Sequence, residues 1–137
     1  MAEWMAPWWP IVHLIGRILY GGYFVYNGLN HFLNLNMLTG YAQSKGVPAP
    51  RLAVLGSGLM ILLGGLSVLL GFHFRWGALL IILFLIPVTL KMHNFWAATD
   101  PTWRMVDMVN FTKNLALLGA ALFIMATDGA MWHFQMK

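Results

Sequence analysis

Apolar residues run along this chain in four long blocks, with polar residues gathered near the block ends instead of alternating at the period of a strand. The first block, Ile11 to Leu33, is long enough as a helix, at about 1.5 Å per residue, to cross a hydrocarbon core of roughly 30 Å. Pro10 before it suits a first helical turn, where a missing N–H removes nothing that was bonded. The second block, Leu52–Phe72, carries no charge. At about 100° per residue its Ser57, Gly64, Ser67 and Gly71 fall on one side, a small-residue face that lets another helix approach closely. The last two blocks are shorter. Trp76–Leu90 gives only 15 uncharged residues, about 22 Å of helix, so a full crossing takes in Lys91, His93 and Asn94 and ends near Trp96. Leu115–Thr127 gives 13, so the last span starts near Met108 and carries Asn110, Lys113 and Asn114 at or inside the membrane edge. Pro87 predicts a kink in the third helix. The pattern thus predicts helices over 11–33, 52–72, 74–97 and 107–128, joined by a hydrophilic connection over 34–51, a tight turn at 71–75 and a loop over 99–107. The expected fold is all-α, a four-helix transmembrane bundle forming one membrane domain of residues 1–137.

Composition sharpens this picture. Of 137 residues, 60% are hydrophobic and 9% charged, and the mean hydropathy is +0.70, more apolar surface than a soluble domain of this size can bury. The chain has no cysteine, which excludes disulfides, thiol relays and cysteine-held metal or iron–sulfur centres. Its formal net charge of +4 does not point to nucleic acid, because Lys45, Arg51, Arg75 and Arg104 are dispersed and form no basic stripe. The first ten residues hold no Lys or Arg, so a removable signal peptide is not expected, and Trp4, Trp8 and Trp9 sit where an interfacial aromatic belt belongs. The two loops on one side hold Lys45, Arg51, Lys91 and Arg104 against Arg75 and Lys137 on the other, which favours cytoplasmic loops and external termini.

Ionisable residues inside a bilayer usually face a bundle interior or a wet cavity. Helical projection of the first span aligns His13, Arg17, Tyr20, Phe24, Gly28 and His31, with Asn27 at the edge of that face. The last span aligns Asp107, Asn110 and Asn114, with Lys113 flanking. The topology brings Asn30, His31, Lys91, His93, Asn94, Asp107, Asn110, Lys113 and Asn114 toward one mouth of the bundle, between the first, third and fourth spans. These groups can simply satisfy one another, with Asp107 pairing to Lys113 or Lys91. Alternatively the excess of lysine over carboxylate there marks an anion- or carbonyl-binding mouth. Arg17 is read either as a latch to Asp128 or as a ligand contact. His31 and His93 raise the question of bis-histidine haem or a metal, but neither sits in an i, i+4 pair and haem is disfavoured.

In their order along the chain, several motifs resemble the DoxX family of small four-span bacterial membrane proteins. They are Gly16-Arg17, Gly28-Leu29-Asn30-His31-Phe32, Tyr41 with Gly46-Val47-Pro48, Gly64-Gly65 followed by Gly71 and Arg75, His93-Asn94-Phe95-Trp96, and Asn110 to Leu115. The resemblance covers about residues 11–130 and implies a four-helix bundle in the bacterial inner membrane. It also implies a link to membrane redox, since some members resemble subunits of a thiosulfate:quinone oxidoreductase and others belong to oxidative-stress complexes. Without cysteine, sulfur chemistry through a protein thiol is closed to this chain.

Two readings of function follow. In the first the protein is an auxiliary subunit, not catalytic on its own, that binds a small amphipathic ligand such as a quinone or lipid through Arg17, Asn27, His31, His93, Lys113 and Asn114. In the second it is a structural or assembly protein whose small-residue second helix docks a membrane partner or a second copy of itself.

Overall fold

The structure, a computed structural model, describes residues 6–136, so the interfacial role read for Trp4 and the charge counted at Lys137 lie outside the described residues. Five α-helices and two single 3-10 turns make up the regular structure, and no strand occurs among the described residues. The long helices are α1 (Trp9–Leu33), α3 (Pro50–Leu70), α4 (Phe74–Met92) and α5 (Pro101–Ala126), with a short α2 (Leu35–Ser44) between the first two.

Prolines at the first turn open α1, α3 and α5. Gly71 closes α3 in the left-handed conformation (φ 72°), which lets α4 begin within a few residues. Two boundaries differ from the sequence pattern. The last helix starts at Pro101 instead of near 107, because Asp100 caps it by accepting from the Thr102 N–H at 2.9 Å. The third long helix stops at Met92, and residues 95–97 form a separate 3-10 turn.

The stretch 34–51, expected as a connection, contains α2. Its Leu35, Leu38, Thr39 and Ala42 recur at helical spacing and turn inward, while Asn36, Met37, Gly40 and Gln43 are exposed. Ten residues reach only about 15 Å, too short to cross a membrane.

Three segments are long and apolar enough to span a bilayer: α3, α4 with its following turn, and α5. The 25-residue α1 matches them in length but carries His13, Arg17 and three tyrosines. It packs along α3, α3 along α4, and α4 along α5. The Tyr20 hydroxyl ties α1 to α5 by donating to the Leu117 carbonyl at 2.6 Å.

Glycine sets the close approaches. A Cβ placed on Gly65 would lie 2.7 Å from the Gly21 carbonyl oxygen, and one on Gly64 2.9 Å from that of Gly77. Gly58 is covered by the His31 side chain. The small-residue face of the second long helix is therefore used up against α1 and α4 within the chain, leaving Gly56 as its open glycine and little of that face for a partner.

Around these contacts Phe24, Ile61, Val68, Phe74, Ile81, Leu85 and Ala121 form the buried core. The C-terminal tail completes it. Trp132 lies buried and stacked on Phe74 at 3.8 Å between ring centroids, and the Met136 N–H donates to the Leu70 carbonyl at 2.8 Å.

Candidate functional site

A cavity of about 800 Å³ lies between the C-terminal ends of α1 and α4, the first half of α3, and α2 above them. Its deeper walls are apolar, from Met60 on α3 and Leu83, Phe84 and Val88 on α4. Polar groups appear only toward the loop end: His31, Tyr41, Ser57, Lys91 and His93. An apolar body with a polar rim at one end suits an amphipathic molecule.

Each rim group is held by its own element. His31 ends α1, and its Nδ1 meets the Val54 carbonyl at 3.0 Å and the Ser57 hydroxyl at 3.2 Å. The Ser57 hydroxyl itself reaches the Val54 carbonyl at 3.2 Å. His93, just past α4, sets its Nδ1 3.5 Å from an Asp107 carboxylate oxygen, and Lys45 Nζ lies 3.0 Å from the other oxygen. Asp107 is 2% exposed, so this pair joins the end of α2 to α5 where water screens it little. Tyr41, one turn before Lys45, donates to the Met92 carbonyl across a long 3.5 Å contact. Burial pushes the Tyr41 phenol above its ordinary range, which keeps it a protonated donor at neutral pH. A second cavity of about 420 Å³, lined by Tyr41, Lys45, Trp103 and Asp107, lies on the far side of the ion pair.

Of the six residues read from the sequence as ligand contacts, the cavity brings together His31 and His93. Arg17 sits elsewhere. Its carbonyl partners include Val68 and Leu69, 14 or more residues along α3 from the Val54 that holds His31, about 21 Å of helix. It forms no latch to Asp128, whose side chain caps the Ala130 N–H instead. Asn27 turns its amide back to the Tyr23 carbonyl. Lys113 donates to Asn110 at 3.1 Å and stands 5.8 Å over the Tyr23 ring, and Asn114 is buried on α5. The space between the first, third and fourth spans is thus not where the cavity opens. Asp107 pairs with Lys45 and not with Lys91 or Lys113, so this carboxylate offsets neither of the two lysines counted against it.

The sequence reading missed α2 as a wall and with it the pairing of Lys45. The available signal was the spacing of Tyr41 and Lys45, which a helix places on one face.

A model of the DoxX family matches residues 12–94. The chain belongs to the DoxX family. The match contains most of α1, all of α2 to α4 and every cavity-lining residue from His31 to His93, while Lys113 and Asn114 lie beyond it. This DoxX protein is also similar to the inner membrane protein YphA of Escherichia coli (strain K12), at 29% identity over 118 residues, 86% of this chain and 84% of the relative. No solved structure matches it. Family and apolar helices together make it a membrane protein in contact with lipid.

Proposed function

We propose that this DoxX-family protein is an auxiliary multi-pass protein of the bacterial inner membrane that holds a small amphipathic molecule, of the quinone or lipid class, in the α1–α4 cavity. The observation that carries the reading is the cavity, whose roughly 800 Å³ falls in the range that encloses a headgroup and part of a tail. His31 and His93 contact the headgroup, with Lys91, Tyr41 and Ser57 beside them, and the aliphatic walls take the chain. The rim groups are hydrogen-bond partners, and the acid–base pairing at the cavity edge is already internal to the protein, between His93, Asp107 and Lys45. That supports binding over catalysis.

In this reading α1 is the fourth span. Its 25 residues reach about 37 Å, and Arg17, the group that opposes insertion most, is buried against main-chain carbonyls. The end of the bundle carrying Lys45, Arg51 and Arg104 faces the cytoplasm. The similarity to an inner membrane protein of Escherichia coli supports the inner membrane as the site.

Gly56 supplies the test. It lines the cavity, and a Cβ there meets nothing within 4 Å, so Gly56→Trp fills the space without disturbing a packed neighbour. Native mass spectrometry of protein extracted in mild detergent is expected to find one bound amphiphile per chain, lost in Gly56→Trp. It should be retained in Gly22→Trp, where the added side chain also meets open space but lies outside the cavity lining. Equal occupancy in both variants would reject the cavity as the site.

A further inference from the structure

Both cavity histidines have one ring nitrogen committed, and the partner decides which nitrogen carries the proton. A carbonyl oxygen can only accept, so His31 Nδ1, 3.0 Å from the Val54 oxygen, bears the hydrogen. Ser57 agrees with this assignment. With its own proton directed to the Val54 carbonyl, its oxygen is free to accept from the same Nδ1–H. An ionised carboxylate likewise only accepts, so His93 Nδ1, facing Asp107 at 3.5 Å, also bears the hydrogen. Lys45 Nζ lies 3.0 Å from the other oxygen of the same carboxylate.

A neutral imidazole protonated at Nδ1 has a bare lone pair at Nε2. No protein group bonds the Nε2 of either ring among the described residues. The cavity therefore offers two acceptors where a lining of histidines would ordinarily be read as donors, and Lys91 at the rim supplies a free cationic donor. A carbonyl or ether oxygen meets these lone pairs with its own and is repelled. A hydroxyl donates to Nε2 and can accept from Lys91 at the same time.

From this we infer that the cavity selects a neutral hydroxyl-bearing amphiphile, a phenol or an alcohol, over carbonyl, ether or carboxylate counterparts of the same shape. The inference rests on the cavity being a ligand site and narrows the quinone-or-lipid reading above to its hydroxyl-bearing members, a quinol or a lipid alcohol.

The test uses the detergent-solubilised protein, four probes with the same octyl tail (para-octylphenol, para-octylanisole, octylbenzoquinone and para-octylbenzoate) and dodecanol, an aliphatic alcohol of similar overall length. Binding is read by calorimetry in wild type and in Gly56→Trp. The phenol is expected to bind about tenfold more tightly than the anisole and the quinone, the difference made by one hydrogen bond. Dodecanol binding as well as the phenol assigns the class to aliphatic alcohols too, and weaker dodecanol binding narrows it to phenols. Anisole or quinone within threefold of the phenol, or benzoate tenfold tighter, overturns the inference while leaving the cavity a ligand site. No probe showing binding that Gly56→Trp removes defeats the reading of the cavity itself.

The double variant His31→Leu/His93→Leu is expected to lower the phenol-to-anisole ratio below threefold, and an unchanged ratio counts against the proposal. If that variant fails to fold, nitrogen NMR of histidine-labelled wild-type protein decides independently. Protons on Nδ1 and bare Nε2 at both residues are expected, and a protonated Nε2 at either overturns the assignment.

Discussion

Arg17→Met is expected to release the C-terminal tail. Arg17 is 4% exposed, and its guanidinium donates to four main-chain carbonyls, those of Val68 and Leu69 at the end of α3 and those of His133 and Phe134 in the tail. It also lies 5.1 Å over the Trp132 ring. Charge-assisted bonds of this kind contribute about 1.5 kcal/mol each, roughly 6 kcal/mol for the set. Burying the guanidinium costs several kcal/mol in return, so the net is about 2–4 kcal/mol. Tail amides over 129–136 should then exchange with deuterium at least about 30-fold faster in the variant, read by mass spectrometry of detergent-solubilised protein. Amides in the middle of α3 and α4 should keep their protection. Arg17→Lys should fall between, since an ammonium keeps the charge but lacks the planar fork that reaches several carbonyls. Unchanged tail exchange in Arg17→Met would refute the claim that this side chain holds the tail.

Gly65→Ala is expected to destabilise the protein by about 1–3 kcal/mol in a thermal melt, because the new methyl meets backbone at 2.7 and 2.8 Å that cannot step aside. Gly22→Ala, with open space around it, should be neutral or stabilising by about 0.5–1 kcal/mol, and equal losses at the two sites would contradict the glycine-mediated packing of α1 on α3. Asp107→Leu alone should destabilise more than Asp107→Leu combined with Lys45→Met, since the single change leaves a half-buried ammonium unpaired; a purely additive double-mutant cycle would show the pair to be uncoupled. Asp100→Ala should remove about 1 kcal/mol through the lost cap of α5, seen as faster amide exchange at Thr102, and no change there would count against the cap. Because the chain has no cysteine, single Ser44→Cys and Gly129→Cys variants can be labelled cleanly from either side of intact cells; labelling of both from one side would contradict four spans.

The uncharged block Leu52–Phe72 announced its helix within two residues at each end, because nothing in it competes with burial in lipid or protein. The convergence of His31 and His93 was also legible, since both lie at the ends of long apolar blocks that the chain's order puts on the same side. Arg17 was legible as buried but not in its role. A search for its partner looks for a carboxylate, whereas main-chain carbonyls of a folded-back tail carry no signature in side-chain identity. The partner of Asp107 was hidden for another reason. Lys45 is 62 positions away on a helix whose Asn36, Thr39 and Gln43 dilute its apolar spacing, so the stretch read as a hydrophilic connection. With α2 missing, the cavity lacked its fourth wall, and the site was drawn on the opposite side of α4, toward Lys113 and Asn114.

An amphipathic ligand held between α1, α2, α3 and α4 would sit against the walls of that space, and this contact can be trapped. Photo-crosslinking tests it most directly, using an octylphenol with a diazirine in its tail added to the protein in native membrane vesicles, with labelled peptides mapped by mass spectrometry. The account predicts label concentrated at the cavity walls, over 53–60 and 83–92, and its loss in Gly56→Trp. Label spread equally over the outward face of α5, at Val109, Leu122 and Phe123, and unaffected by Gly56→Trp, would mean that the probe samples only the lipid-facing surface and would contradict the account.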